Sequence, residues 1–437
     1  MAEIIRIKKG LDIPLPGNPS SEVTADKQTA LFAICPDDFP GPVWKAVVKP
    51  GDSVAAGDPL MKDKATGKIC LVSPVAGKIQ EVKRGERRHI EFISIAKESE
   101  ATAKPSSKDI KEMLCESGLW AMMRQRPYDI VPDPEIAPRD IFVTAFDSAP
   151  LAGELLTDSL AKWLEKGLET LKKLTAGKVY LGIRAGSGIN SNAAEVYEFD
   201  GPHPAGNVGT QIAAIKPVNK GEVVWTLDVV TAAKIGKLCG EGAVDFTTNV
   251  AITGPEIRNP HMVSTIIGAT VNTLLSGNLK DENGIRIISG NVLTGLKIEK
   301  DGFLHYPYRQ ITVIKEGNDA DEFMGWASLS PKKYSVKRSF PAFLRGLSKP
   351  FDFDARIKGG HRAMILSGEY DKVFPFDIYP EYLLKAIIAG DIDRMEKLGI
   401  YEVAPEDFAL PEFVDTSKIE LQKIVRDGLD NLRKELS

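Results

Sequence analysis

The period of the hydrophobic positions changes from one part of the chain to the next. Over the first hundred residues, short apolar runs such as VWKAVV (43–48) and HIEFISIA (89–96) are separated by glycine-containing turns such as KPGDSVAAGD (49–58). Such runs, bounded by turn signals, predict strands. A polar linker follows at 97–109. We therefore predict a β-rich first domain, residues 1–104.

From about residue 138, strand and helix patterns alternate. A buried-strand run at 140–147 precedes a segment, 150–175, whose leucines recur at helical spacing. Alternation of this kind predicts a layered α/β domain with parallel strands, which we assign to 105–255. The other elements predicted here are strands at 178–185, 193–200, 209–215 and 221–228 and helices at 110–123 and 229–242.

The remaining chain divides into two smaller units. Residues 256–330 return to short strands around an apolar segment, 262–276, that is predicted as a helix, which indicates a small α+β domain. Residues 331–437 are irregular at first and then carry apolar-periodic segments at 379–391 and 416–436. This last unit is predicted to be helical.

Composition narrows the class of protein. A chain of 437 residues accommodates two to four domains, and 43% hydrophobic with 27% charged residues is typical of a soluble folded protein. The net charge of −4 argues against a nucleic-acid partner. The longest apolar stretch, 262–275, is too short for a bilayer, and the first ten residues do not form a signal peptide. We expect a cytoplasmic protein that meets a membrane only through a partner.

Residue spacing predicts no metal site. The cysteines are far apart in sequence, and the five histidines form no H-x-x-x-H pair. Acid pairs such as Glu406/Asp407 are interpreted as solvated faces or helix caps. The cysteines, interpreted as structural thiols, are Cys35, Cys70, Cys115 and Cys239.

Two further motifs suggest chemistry that their details disfavour. PLMKDKATGKICLVSPVAGKI (59–79) resembles lipoyl and biotinyl carrier domains with Lys64 as the modified residue, but the spacing to the S-P-V-A-G segment is a couple of residues too long, which favours an unmodified surface lysine. GPHPAGNVGT (201–210) follows a strand like a phosphate loop, yet Pro202 and Pro204 remove amide donors. A structural loop is favoured there.

The stretch MILSGEYDKVFP (364–375) has the spacing of a [4Fe–4S] ligand run, C-x2-C-x2-C-x3-C-P, without any cysteine. Pro375 stands where the run ends in proline. Twelve residues fit such a spacing easily, so the match alone carries little weight. The four ligand positions fall on Met364, Ser367, Tyr370 and Phe374.

Several longer segments, in this order, identify the chain as a member of the A-subunit family of the Na+-translocating NADH:quinone reductases (Na+-NQR). The family is similar to the C subunit of the Rnf complex and, more remotely, to the flavin subunit of respiratory complex I. The segments are IKKGLDIPLPG (7–17), SPVAGKI (73–79), AFDSAPLAGE (145–154), FDGPHPAGNVGTQI (199–212), ISGNVLTG (288–295) and MGWASLSPKKYSVKRSFPAF (324–343).

The resemblance implies a multidomain α/β and α+β fold. Its parts would be a lipoyl/biotinyl-like β domain (1–104), a Rossmann-like α/β domain (105–255), a small β-grasp-like (SLBB) domain (256–330) and a helical domain resembling a ferredoxin without clusters (331–437). The flavin loop of the relatives, G-x-G-G-A-G-F-P, matches SGLWAMMRQRP (117–127) here. The bulky side chains of this segment leave flavin unfavoured.

The relatives also carry a second cysteine run. Here its positions fall on Pro405, Phe408, Pro411 and Asp415, and Thr416 replaces the final proline. Two runs with cluster spacing but no cysteine, joined by a helical segment, are stronger evidence for the resemblance than one such run.

The resemblance implies a peripheral subunit on the cytoplasmic face of the membrane, at the quinone end of the complex, without a permanent redox cofactor. Its partners would be the other subunits and ubiquinone or menaquinone. A quinone site is predicted at Phe146, Asp147, His203 and Asn207, although a structural role is favoured for His203. Residues 326–346 are the predicted docking surface. The alternatives are an autonomous flavin or NAD(P)H oxidoreductase and a lipoyl or biotinyl carrier.

Overall fold

The computed structural model describes residues 3–318, 333–336, 341, 349–351, 353–365 and 367–436. The predicted docking surface at 326–346 therefore lies largely outside the described residues. The strands are β1 Glu3–Arg6, β2 Val23–Ala25, β3 Leu31–Ile34, β4 Trp44–Ala46, β5 Ser53–Val54, β6 Pro59–Asp63, β7 Cys70–Val72, β8 Ala76–Arg84, β9 Ile90–Ser99, β10 Arg124–Arg126, β11 Asp140–Thr144, β12 Val179–Arg184, β13 Glu195–Asp200, β14 Val224–Asp228, β15 Thr247–Thr253, β16 His261–Ile266, β17 Ile285–Ser289, β18 Leu296–Ile298 and β19 Gln310–Lys315.

Helices belong mainly to the middle and the end of the chain. Short 3-10 segments at Pro36–Asp38, Trp120–Met122, Tyr370–Lys372 and Pro405–Phe408 matter for the sites below. The α-helices are α1 Ile110–Glu116, α2 Asp158–Lys172, α3 Val208–Ile215, α4 Val229–Glu241, α5 Val271–Leu275, α6 Pro380–Ala389, α7 Ile392–Lys397, α8 Ala409–Val414 and α9 Leu421–Leu436. Among the described ranges, no helix combines the length and the apolar character needed to cross a bilayer.

Two small antiparallel sheets form the N-terminal β domain, with the strand orders β3-β9-β8-β5 and β4-β6-β7. Its core contains Leu60, Ile93 and Ile95, whose side chains are fully buried. Lys64 is exposed in the turn between β6 and β7. The carboxylate of Asp63 fixes that turn by accepting the Thr66 N–H (2.7 Å).

The α/β domain contains a sheet with the order β1-β13-β12-β11-β14-β10. All neighbours are parallel except β10 and β14. Helices α2 and α4 pack closely because a Cβ on Gly167 would overlap the carbonyl of Ala232, and one on Gly236 would overlap that of Trp163. The predicted layered arrangement with parallel strands is confirmed.

A second six-stranded sheet has the order β18-β17-β19-β15-β16-β2. It contains β15, which the sequence placed inside the 105–255 domain. Strand β1 likewise joins the α/β sheet and β2 joins this second sheet, although both lie inside the predicted 1–104 domain. These edge strands are short and exposed, so their hydrophobic pattern does not specify a partner.

Two element predictions are wrong. Residues 209–215, predicted as a strand, lie in helix α3, because a run of this length is too short for its period to separate strand from helix. Residues 262–276, predicted as one helix, form strand β16 up to Ile266 and then, after a turn, the short helix α5. The β-branched Val263, Thr265 and Ile266 favour the extended backbone.

Helix α1 is also shorter than predicted. It ends at Glu116, and Gly118 then adopts φ +79°, a left-handed conformation that suits glycine. The chain continues into the 3-10 segment Trp120–Met122 rather than extending the helix to residue 123.

The C-terminal unit has its own apolar core, which contains Tyr370, Phe374 and Phe408 together with Leu383 of α6 and Leu429 of α9. Each of these side chains is at most 1% exposed. The segments 364–375 and 405–415 therefore lie side by side in this core. The described part of 364–375 contains one 3-10 turn and otherwise irregular backbone.

Candidate functional site at the carboxyl edge of the parallel sheet

The winding of the α/β sheet reverses between β11 and β14. The chain runs from β11 to β12 and β13 on one side, and then returns to β14 on the other side of β11. Ligands of open α/β sheets bind beyond the carboxyl ends of the strands at such a switch point. The loop 145–150 and the carboxylate of Asp228 lie at this edge.

Two loops predicted to line a quinone site are in direct contact. Ser148 Oγ accepts the N–H of Gly206 (2.8 Å) and lies 3.0 Å from His203 Nδ1. Thr144 Oγ1 donates to the carbonyl of Gly206 (2.9 Å). A Cβ on Gly206 would lie 2.6 Å from the backbone nitrogen of Ser148, so glycine permits this contact. Sequence reasoning did not single out Ser148, which joins the two loops.

His203 is buried, with 3% of its surface exposed. Its backbone N–H donates to the carboxylate of Asp12 (2.9 Å). Burial lowers the pKa of His203 to about 4, so the imidazole is neutral at pH 7. A neutral ring can donate a hydrogen bond from one nitrogen, but it is a poor source of a proton.

Phe146 and Asp147, two other residues predicted to contact the quinone, are held by contacts within the protein. The Phe146 ring packs against Ile7 and Phe199, and the guanidinium of Arg184 lies 4.9 Å from the ring centroid. Burial raises the pKa of Asp147, although its carboxylate accepts the N–H of Ala149 (2.7 Å). These two side chains are engaged by the protein itself.

Asn207 sits at the N-cap position of α3 and is half-buried. Its side chain makes no capping hydrogen bond, and the contacts of the described residues give its amide no other partner. Of the four predicted residues, Asn207 has the side chain best placed to bind a ligand.

The second sheet closes part of the switch point. Arg309 Nη2 lies 2.8 Å from Asp228 Oδ2, and Gln310 Nε2 donates to the carbonyl of Pro150 (3.1 Å). Both residues are next to or within β19, more than 80 positions beyond Asp228 in the chain. Sequence spacing offers no signal for this contact.

A buried ion pair joins the α/β domain to the C-terminal unit. The side chains of Arg126 and Asp407 are 1% and 0% exposed, and Arg126 Nη1 lies 2.7 Å from Asp407 Oδ2. Burial raises the pKa of Asp407, and the charge of Arg126 opposes that rise. Asp407 also caps the backbone N–H of Ala404 (2.8 Å). The interpretation of Asp407 as a helix cap is confirmed, whereas its interpretation as part of a solvated face is wrong.

Large side chains fill the segment 117–127, which the sequence analysis compared with a flavin loop. Trp120 and Met123 are fully buried, and Met122 is nearly so. The ring of Trp120 meets that of Trp225 edge-on, with 5.0 Å between centroids, and Trp120 Nε1 donates to the carbonyl of Pro132 (2.8 Å). The volume beside this backbone is therefore occupied by protein.

The two cysteine-run frames pair with each other. The hydroxyl of Tyr370, third in the first frame, donates to Asp415 Oδ1, fourth in the second frame (2.8 Å). Phe374, fourth in the first frame, packs on Phe408 with 5.0 Å between ring centroids. In two-cluster ferredoxins the fourth cysteine of each run ligates the other cluster. Each of the two contacts likewise joins the fourth position of one run to a position of the other run.

The outer positions of the first frame are less buried. Ser367 donates from its backbone N–H (2.9 Å) and its hydroxyl (3.1 Å) to Glu381 Oε1. Met364 packs at the margin of the C-terminal core. These contacts hold 364–375 against α6.

Three family models match the chain. They are described as the NqrA N-terminal barrel-sandwich hybrid domain (residues 5–98), the NqrA second alpha/beta domain (105–244) and the NQRA C-terminal domain, an SLBB model (249–300). The matches agree with a multidomain chain that begins with a β domain and continues with an α/β domain.

Curated relatives match the chain from end to end, and all three below are named as the A subunit of Na(+)-translocating NADH-quinone reductase. A protein of Neisseria meningitidis serogroup C is 36% identical over 99% of this chain and 100% of its own length. Those of Serratia proteamaculans and Hahella chejuensis are 36% and 37% identical over the same shares. The chain therefore belongs to the NqrA family, the A subunits of the Na(+)-translocating NADH-quinone reductases, and it is one component of that enzyme complex.

Proposed function

We propose that this chain is a peripheral subunit on the cytoplasmic face of the Na+-pumping complex, that it serves the quinone end and the assembly of the complex, and that it holds no permanent redox cofactor. The observation that supports the proposal is that buried side chains such as Trp120, Tyr370 and Phe374 fill the segments which, by the proposed resemblance, would correspond to a flavin loop and two cluster runs. The other membrane and peripheral subunits of the complex would be its partners.

The absence of a flavin is argued from packing. A phosphate cradle needs free backbone N–H groups and no side chains at the point of approach. Trp120 and its neighbours fill that volume, and the carbonyl of Pro132 accepts the indole N–H. Arg309 and Gln310 further narrow the switch point where a dinucleotide would lie.

Descent from a cluster-bearing relative is argued from the crossed contacts of the two frames. The contact of Tyr370 with Asp415 joins two positions that would belong to one cluster. The contact of Phe374 with Phe408 joins two positions that would belong to the other cluster. This pattern supports the proposed relation to the C subunit of the Rnf complex and to the flavin subunit of complex I. It also supports interpreting the C-terminal unit as a scaffold.

The quinone contact is proposed at the edge formed by 145–149 and 203–207. Asn207 has a half-buried amide that can hydrogen-bond a quinone carbonyl, and the neutral imidazole of His203 lies in the same loop. Because Phe146 is packed by the protein, its role would be to shape the wall rather than to stack on the quinone.

Co-purification from membranes, followed by photo-crosslinking with an azido-quinone, tests this function. We expect the chain to purify with the other subunits, to show no visible absorbance alone, and to be labelled near 203–207. Asn207→Ala should reduce labelling, whereas Asn190→Ala, at an exposed loop asparagine, should not.

A bound flavin or cluster spectrum in the isolated chain would overturn the cofactor part of the proposal. Tight binding of FMN and NADH would favour an autonomous oxidoreductase instead. Intact mass tests the carrier alternative, since Lys64 would then carry an added group.

A further inference from the structure

Three metal-binding side chains that are distant in sequence meet between the N-terminal β domain and the second sheet. Cys35 follows β3 directly, Asp38 ends the adjoining 3-10 segment, and His305 lies before β19. One ligand atom from each lies within 4.8 Å of the others. From this juxtaposition we propose that Cys35, Asp38 and His305 bind a zinc ion.

The donor set suits zinc. Thiolate sulfur, imidazole nitrogen and carboxylate oxygen are its usual protein ligands, at roughly 2.0–2.3 Å in a tetrahedral arrangement. Ligand atoms in such a site lie roughly 3.3–3.8 Å apart, which follows from those bond lengths. His305 Nδ1 and Asp38 Oδ1 are 2.7 Å apart here, so a movement of under about an ångström would admit the ion.

Neighbouring groups already orient these ligands. Asp38 Oδ2 accepts the backbone N–H of Tyr306 (2.9 Å), and the backbone N–H of His305 donates to Ser289 Oγ (3.0 Å). The first bond orients the carboxylate, as is typical around metal ligands, and the second holds the backbone that carries the imidazole. The side chain of His305 is 22% exposed, which gives an ion a way in from solvent.

The charge of the ligand set matches that of a dication. A dication with one thiolate and one carboxylate forms a neutral group, which is suitable for a buried position. On binding, the Cys35 sulfur forms a bond to zinc and releases its thiol proton to solvent, and no electron is transferred. Arg124 and Asp37 contribute one charge of each sign nearby and leave this balance unchanged.

Three protein ligands leave a fourth coordination position. His305 and Tyr306 also line a small cavity together with Met122, Thr248 and Tyr308. A water molecule would complete the tetrahedron. The ion would then join residues 35–38 to the segment before β19, in addition to the Asp38 contacts with residues 305 and 306.

Titration of the purified full-length chain with Zn2+, followed by calorimetry, tests the proposal, and Co2+ serves as the spectroscopic probe. We expect one equivalent to bind, a thiolate-to-cobalt charge-transfer band, and a higher thermal midpoint with zinc. Cys35→Ser and His305→Gln should weaken binding at least tenfold and remove or shift the band. Cys239→Ser, in α4 and outside the cluster, is the matched control and should bind like the wild type.

Asp38→Asn provides a second variant in case the others fail to fold, which circular dichroism without metal would reveal. It should also weaken binding at least tenfold. The proposal is wrong if the wild type binds no zinc, or if the cobalt band persists in a folded Cys35→Ser variant.

Discussion

The buried pair of Arg126 and Asp407 allows a sharp prediction about stability. Arg126→Met leaves the Asp407 carboxylate in the interior with the N–H of Ala404 as its remaining hydrogen bond. Breaking a buried pair on one side typically costs 3–5 kcal/mol, because a charge is left without compensation. We expect this variant to lose about 4 kcal/mol at pH 7.

The size of that loss is limited by protonation. Without Arg126, the folded-state pKa of Asp407 rises further above the unfolded value of roughly 3.9. Keeping an Asp protonated at pH 7 costs about 4 kcal/mol, and this cost falls by about 1.4 kcal/mol for each pH unit. The variant should therefore recover stability as the pH falls from 7 to 5, by roughly 2–3 kcal/mol relative to wild type.

Urea unfolding at pH 7, 6 and 5, followed by circular dichroism, measures these differences. Asp407→Leu should cost somewhat less, since Arg126 keeps Glu406 (3.1 Å) and the carbonyl of Glu402 (2.9 Å). The double variant should be more stable than Arg126→Met, because the buried carboxylate is gone and Glu406, which also loses its partner, has a side chain that is 42% exposed. Lys68→Met breaks an exposed pair with Glu135 and serves as the control, because solvent screens such a pair and its loss should change the free energy of unfolding far less. The reasoning fails if Arg126→Met costs no more than Lys68→Met, or if its cost does not depend on pH.

Three further predictions concern titrating or hydrogen-bonded side chains. Burial lowers the pKa of Lys234 from 10.5 to about 7, so the free energy of unfolding of wild type rises as the pH rises from 7 to 10.5. Lys234→Met should be more stable than wild type by roughly 3 kcal/mol at pH 8 in urea unfolding, with the gap closing above pH 10. Burial lowers the pKa of His203 from 6.5 to about 4. The free energy of unfolding should therefore fall by up to roughly 3 kcal/mol as the pH falls from 6.5 to 4. His203→Gln should remove this pH dependence in the same assay. Tyr370→Phe leaves Asp415 Oδ1 without its hydroxyl donor and should cost about 2 kcal/mol by thermal unfolding, whereas Tyr382→Phe at the exposed surface should cost nothing measurable.

Long amphipathic elements were predictable because burial sets their period. In α2, Leu160, Leu164, Leu168 and Leu171 recur at helical spacing and are all buried. Helix α3 has eight residues and buries polar side chains, among them Gln211, which donates to Thr144 Oγ1 (3.0 Å). Its pattern therefore reflects tertiary contacts that a local window does not contain.

The candidate site was predictable only in part, for a related reason. The loops after β11 and before α3 follow apolar runs, so the sequence indicates that they lie at one edge of the sheet. Their linkage through Ser148, and the pairing of Asp38 with His305, depend on residues 55 and 267 positions apart. The spacing of polar side chains along the chain does not indicate which distant residue each one contacts.

On the proposed descent, the C-terminal unit would be a scaffold that has kept its fold without its cofactors. On the proposed descent, ligation of two clusters would once have contributed to the folding of this region. Burial of an aromatic side chain is worth roughly 1.5–3 kcal/mol, so Phe374 and Phe408 together supply an effect of several kcal/mol at the place of one cluster. The Tyr370–Asp415 hydrogen bond connects the frames at the place of the other. Because both contacts cross between the two frames, they hold 364–375 against 405–415 and can replace the constraint that shared clusters would have supplied.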